Sequence, residues 1–234
     1  MHEQLEIGPV TVLAVFAHPD DPEMACGGTL RRCVDAGGSV RIVVANAGDK
    51  GSFDPATDPA LLADVRRDEL AAAAGVLGAD SWEIFGVPDG DLENTVELRE
   101  RLVTEIRLAR PDVVIAPDPT AVFFGDTYVN HHDHRAIGWA VLDACAPASA
   151  SPLYFPGSGE PHTVSTVLLA GSLDPDVWID IAAALESKIA AVQCHRSQVV
   201  DSDFVEEAVR ARAAGAGADV GAGAAELFRR LRLG

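Results

Sequence analysis

Short runs of β-branched and aliphatic residues alternate with longer helical stretches along this chain, and that alternation limits the fold more than any other feature. Thr11–Ala17 (TVLAVFA), Ser39–Asn46 (SVRIVVAN), Ser81–Phe85, Asp112–Ala116 (DVVIA) and Val164–Leu169 read as strands. The first, second and fourth are near-continuously apolar, as strands buried on both faces are. Between them the pattern predicts helices over Pro22–Ala36, Ala60–Leu77, Glu93–Ala109 and His131–Ala146, with Gly37-Gly38 and Gly78 as stops. A last helix is predicted over Val177–Cys194. Strand–helix–strand units joined by right-handed crossovers build a mostly parallel sheet covered on both faces. The expected fold is therefore α/β, a Rossmann-like three-layer domain around a mostly parallel central sheet. No repeat or linker is visible, so residues 1–234 are read as one domain. Two stretches fall outside the alternation. One is a polar loop over 117–130; the other is the tract AAGAGADVGAGAA (Ala213–Ala225), expected to form a mobile Gly/Ala-rich loop.

The balance of 36 acidic against 18 basic residues gives a formal net charge of −18. Such a surface repels phosphate backbones and anionic membranes, so no nucleic acid and no membrane is expected as a partner. No apolar run approaches the roughly 20 residues that span a bilayer, and MHEQLEIGPV lacks the basic region of a secretory signal. Cys26, Cys33, Cys145 and Cys194 form no C-x-x-C pair and are read as reduced, which suits a cytoplasmic location. A homo-oligomer is left open.

Ligands of open α/β sheets bind outside the carboxyl ends of the strands, and two polar clusters fall there. His18-Pro19-Asp20-Asp21 follows the first strand directly; His131-His132-Asp133-His134 lies beyond the Val113–Ala116 strand, where a loop enters a helix. If those strands are neighbours, the clusters face one another across a crevice. Histidine and carboxylate donors without cysteine suit a catalytic metal with three protein ligands and one open position. His18 and Asp21 can turn to one point, and His134 can supply the third ligand. Asp20 can take a proton from a metal-activated water. His131, one helical turn before His134, can stabilise an oxyanion or protonate a departing amine, with Asp133 orienting either histidine. Each cluster alone also suits a turn or a helix cap; it is their pairing that points to a metal-dependent hydrolase.

At these residues the sequence closely resembles the LmbE/PIG-L family of zinc-dependent N-deacetylases. AHPDDPEMACGGTL (Ala17–Leu30) follows the family's A-H-P-D-D-x-E…G-G-T signature, and HHDHRAIG (His131–Gly138) its H-P-D-H-R-x-x-G signature. Weaker echoes run through VRRDELAAAAGVLGAD (Val65–Asp80), VPDGDLE (Val87–Glu93), RPDVVIAP (Arg110–Pro117) and KIAAVQCHRSQ (Lys188–Gln198). The resemblance implies a divalent metal, usually zinc, on His18, Asp21 and His134; two histidines and one carboxylate also accept iron(II). It implies Asp20 as general base and His131 as acid or electrophilic partner tuned by Asp133. It further implies removal of the N-acetyl group from an N-acetylglucosamine-type small molecule, with Arg66 and Asp89 as sugar-binding residues. His132 departs from the pattern, standing where the family has proline; neighbouring helical positions do not share a face, so it is read as non-ligating. His195 is read as a satisfied helix-end histidine, with a second-shell role at the site as the other option.

Two other readings remain. One is a metal-dependent amidase for a different acyl group, on a thiol conjugate or an acylated antibiotic sugar. The other is a non-catalytic nucleotide-binding protein, disfavoured because no G-x-G-x-x-G follows the first strand and Gly27-Gly28 falls inside the next helix.

Overall fold

The computed structural model describes residues 2–199 and 201–233. In chain order its elements are β1 (Glu3–Gln4), β2 (Thr11–Phe16), α1 (Asp21–Asp35), β3 (Ser39–Asn46), α2 (Pro59–Leu77), β4 (Ser81–Val87), α3 (Val96–Ala109), β5 (Val113–Pro117), β6 (Phe123–Phe124), β7 (Tyr128–Val129), α4 (His132–Asp143), β8 (Thr166–Ala170), β9 (Val177–Asp180), α5 (Leu185–Val192), α6 (Ser202–Val220) and β10 (Ala225–Arg232). Eight strands form one sheet in the order β1-β9-β10-β8-β5-β2-β3-β4, while β6 and β7 make a separate hairpin. Pairing is parallel from β8 through β5, β2 and β3 to β4, and β10 runs antiparallel to both β8 and β9.

Alternation along β2 shows why the sheet needs two covers. Val12, Ala14 and Phe16 point into a core shared with α1 and α2, whereas Leu13 and Val15 point into a second core with α3 and α4. Each large aliphatic side chain so buried contributes about 1.5–3 kcal/mol, and the period of two makes a one-residue slip of β2 ruinous to both layers. β2 lies between β3 and β5, with Val12, Leu13 and Ala14 opposite Val113, Val114 and Ile115. The two polar clusters thus emerge side by side at one sheet edge.

Several sequence expectations need correction. Val177–Cys194 is not one helix: Val177–Asp180 is strand β9, a single tight turn spans Ala182–Ala184, and only Leu185–Val192 is α-helical. The helix expected through Ala146 ends at Asp143 and gives way to a wide turn over Ala144–Ala148 that contains Pro147. The loop 117–130 carries the β6–β7 hairpin. The tract 213–225 is no loop: most of it is the C-terminal half of α6, closed by Gly221 in the left-handed conformation and running into β10. Alanine favours helix, Asp201 caps the start by accepting from Asp203 and Phe204, and Val209, Ala213 and Gly217 bury one face. No helix among the described residues is long and apolar enough to cross a membrane.

Glycines explain the closest packing. A Cβ on Gly28 in α1 would lie 2.7 Å from the Ile181 side chain, and one on Gly138 in α4 would lie 2.6 Å from the Pro117 carbonyl. Both are signature positions at which a helix comes against the sheet side of the crevice.

α1 is also bent, with Cys26 at non-helical φ −145 and ψ 15. The break exposes N–H groups that an unbroken helix would satisfy. Gly28 and Thr29 donate theirs to Glu226 of β10, at 3.0 and 2.8 Å. Lys188 of α5 pairs with the same buried carboxylate and donates to the Met24 carbonyl at 2.8 Å. The last strand therefore fastens the helix that begins at Asp21.

Candidate active site

The loop after β2 places His18, Asp20 and Asp21. The His18 backbone N–H donates to Asp21 Oδ2 at 2.8 Å, so the turn orients this carboxylate before any ligand enters. Asp20 sits at φ 106, a conformation that L-residues rarely adopt. From the other side, the loop after β5 leads through Asn130 into α4. His131 is the N-cap: its Nδ1 accepts the Asp133 N–H at 3.2 Å. The β4–α3 loop adds Asp89, and the end of β3 adds Asn46.

His18, Asp21 and His134 each present a ligand atom to one point. His18 Nδ1 lies 3.2 Å from His134 Nε2 and 3.4 Å from Asp21 Oδ2, and His134 Nε2 lies 3.2 Å from Asp21 Oδ1. Tetrahedral zinc, with bonds of about 2.0–2.2 Å, sets its ligand atoms about 3.4 Å apart. The spacings, two of which end on different oxygens of the Asp21 carboxylate, are close to that value, and the donors are of the right type.

The surroundings also select which ring nitrogens face that point. Asn130 Nδ2 donates to the Ala121 carbonyl at 2.8 Å, which turns Asn130 Oδ1 to His134 Nδ1 at 3.0 Å. His134 therefore carries its proton on Nδ1 and offers the Nε2 lone pair to the triangle. His18 Nε2 lies 3.1 Å from Asp89 Oδ1 and 3.4 Å from Asp133 Oδ2, so its proton belongs there and Nδ1 is the free donor. His18, Asp89, His131 and Asp133 form a second close group. Several of its atoms are already engaged, however: Asp133 Oδ2 accepts from Gly90 N–H at 2.7 Å and from Asn46 Nδ2, and His18 Nε2 faces Asp89. That group orients; the first one can bind.

Converging carboxylates give the site a negative field. Burial opposes a charge on His18, but hydrogen bonds to Asp133, Asp21 and Asp89 outweigh it and raise its pKa, so a cation that binds Nδ1 must displace a proton from the ring. Burial likewise opposes ionisation of Asp21, yet His134 and His18 hold it well below the usual carboxylate range. For Asp20, burial and then the Asp21 charge raise the pKa to about 7, against the pull of Arg66, His195 and His18. Burial and the His18 charge lower His131. A cluster this rich in carboxylate suits a cation.

Arg66, expected at the sugar, is buried behind Asp20. Its guanidinium donates to the Gly48 carbonyl at 3.2 Å, to the Pro19 carbonyl and to Asp20 Oδ2 at 3.1 Å. The structure thus brings together His18, Asp20, Asp21, Asp89, His131, Asp133 and His134, and sets Arg66 one layer back. His132 turns outward and is exposed. His195 is fully buried with Nε2 3.2 Å from Glu23 Oε2, next to the metal loop and away from solvent. Asn46, Asn130 and Glu23 were not singled out from sequence. Glu23 stands in the quoted A-H-P-D-D-x-E signature, and Asn130 lies four residues before His134, the spacing of one helical turn.

Residues 13–145 match the family described as PIG-L: GlcNAc-PI de-N-acetylase. The chain is 31% identical over 192 residues to the diacetylchitobiose deacetylase of Thermococcus kodakarensis, covering 80% of this chain and 69% of that one. It is 30% identical over 246 residues to a 1D-myo-inositol 2-acetamido-2-deoxy-alpha-D-glucopyranoside deacetylase 2 of Saccharopolyspora erythraea, covering 82% and 85%. Among solved structures, the N,N'-diacetylchitobiose deacetylase from Pyrococcus horikoshii superposes with a TM-score of 0.85 at 29% identity, over 94% of this chain and 83% of that one. These are α/β hydrolases of the deacetylase class, acting on amide bonds. The chain belongs to the PIG-L (LmbE-like) family.

Proposed function

We propose that this chain is a zinc-dependent N-deacetylase that hydrolyses the acetamide of an N-acetylglucosamine-type small molecule. The observation that carries the reading is the triangle of His18 Nδ1, the Asp21 carboxylate and His134 Nε2, with edges of 3.2 to 3.4 Å, beside the Asp20 carboxylate. The amino-sugar part comes from the relatives, whose names specify diacetylchitobiose and an acetamido-glucopyranoside of inositol.

His18, Asp21 and His134 would hold the ion. When bound, a divalent cation lowers the pKa of a water and polarises the amide carbonyl. Asp20, its Oδ2 held by Arg66, takes the proton from the attacking water. His131 has Nδ1 occupied by the Asp133 N–H, so Nε2–H is the group it presents to substrate, where it steadies the developing oxyanion, and the proton that Asp20 has taken from the water passes to the departing nitrogen. Asp133 tunes His131 and shares the His18 proton with Asp89. The second oxygen of Asp89 is left to accept from a sugar hydroxyl. Arg66 contributes by fixing Asp20.

Elemental analysis of purified protein tests the reading together with acetate release from N-acetylglucosamine conjugates. Wild type is expected to hold about one zinc or iron per chain, lost in Asp21→Ala and His134→Ala. Asp20→Asn should keep its metal and lose about 10²- to 10⁴-fold in turnover. A wild type that binds no metal after reconstitution, or an Asp20→Asn enzyme of undiminished turnover, would sink the assignment.

A further inference from the structure

The crevice does not end at the metal ligands. A cavity of 390 Å³ starts at Asp21 and His134, runs along an apolar wall that includes Met24, Phe124 and Tyr128, and reaches Arg212 on α6. A second cavity of 280 Å³ shares Met24, Phe124 and Arg212 with it, so Arg212 stands where the two meet. The larger volume lies within the roughly 300–1,000 Å³ of small-molecule sites, far more than the three heavy atoms of an acetyl group require.

Charge separates Arg212 from its neighbours. Lys188, the other cation lining these cavities, is neutralised by its buried pair with Glu226. On α6 itself, Arg210 is tied to Glu186 and Glu206 on another side of the helix. Arg212 makes no ion pair or side-chain hydrogen bond among the described residues, in a chain of net charge −18. Asp219 also lines the second cavity but lies beyond salt-bridge distance of it. A free guanidinium beside an apolar wall suits an oxyacid, which it can grip through two parallel N–H bonds. α6 lies wholly outside residues 13–145, the stretch matched by the family. The family match therefore does not itself assign Arg212 a part in the chemistry common to its members.

We propose that this cavity receives the amine-bearing half of the substrate, and that Arg212 selects molecules carrying a carboxylate or phosphate there. The proposal rests on the deacetylase reading but is tested separately from it. Zinc-loaded wild type, Arg212→Ala, Arg212→Lys and Arg212→Glu are titrated calorimetrically with three probes: methyl N-acetylglucosaminide, its carboxymethyl counterpart and N-acetylglucosamine 1-phosphate. Acetate release is followed in parallel. Wild type should favour an anionic probe over the neutral one. That preference should fall about tenfold in Arg212→Ala, the scale of one lost charge-assisted contact. It should reverse in Arg212→Glu and return in part in Arg212→Lys. Preference for the carboxymethyl or the phosphate probe identifies which anion the site takes. Equal affinity for all three in wild type, or a preference unchanged in Arg212→Glu, overturns the proposal. Failure of wild type to release acetate from any probe overturns the deacetylase reading instead, and the titrations still decide the role of Arg212.

Discussion

Asn130 shows how little of the proposed metal site would consist of its ligands. Its amide is locked by the Ala121 carbonyl, its oxygen fixes the His134 proton on Nδ1, and only then does Nε2 face Asp21. Asn130→Ala removes no ligand, yet it frees the ring to rotate and to exchange its proton. Metal affinity is expected to fall about 10- to 100-fold, the usual cost of losing such an orienting partner, as read by competition with a chelator. Affinity equal to that of wild type would mean that packing alone orients His134. Asp20 illustrates the same dependence. Its φ of 106 costs about 1–3 kcal/mol, and Arg66 holds the strained turn through Pro19 and Asp20 together. The proposed ligands and base are legible in the sequence because histidine and aspartate cluster on two short motifs. The orienting partners could not, since an asparagine or a buried arginine has meaning only once its neighbours are known.

Elements reach the site by different routes. β2, β3 and β5 are buried on both faces, so their apolar runs announce them and fix where the two motifs emerge. β9 and β10 gave no such signal. β9 has four residues, and β10 reads AELFRRLR, with a buried carboxylate near its start and arginines beyond. Glu226 is explained only by Gly28 and Thr29, nearly two hundred positions away, and by Lys188. Glu226→Ala would leave a buried ammonium unpaired and two N–H groups unsatisfied. The expected loss is about 3–5 kcal/mol, seen as a lower urea midpoint. Lys188→Met combined with Glu226→Leu should recover only the share due to the unpaired ammonium, since the Gly28 and Thr29 N–H groups still lack an acceptor. If the single variant unfolds at the wild-type midpoint, the pair is not holding α1. The tract 213–225 misled for a related reason. Its glycines suggested a loop, while the alanines between them and the buried face against β10 favour helix.

Across the whole molecule, acidic groups outnumber basic ones by two to one, and many arginines are spent locally on pairs with Asp or Glu. The remaining acids repel one another, which works against the compact state. The unfolding temperature of the zinc-loaded protein should rise from low to physiological salt as that repulsion is screened. A fall would show that the surface pairs, which salt weakens, outweigh it. The tie between α1 and β10 has a further consequence, concerning time. Translation delivers His18 and Asp21 first, His134 more than a hundred residues later and Glu226 after all three. A nascent chain therefore carries the ligands before it has the carboxylate that completes their helix. On the proposed reading, firm metal capture is expected only once β10 has joined the sheet.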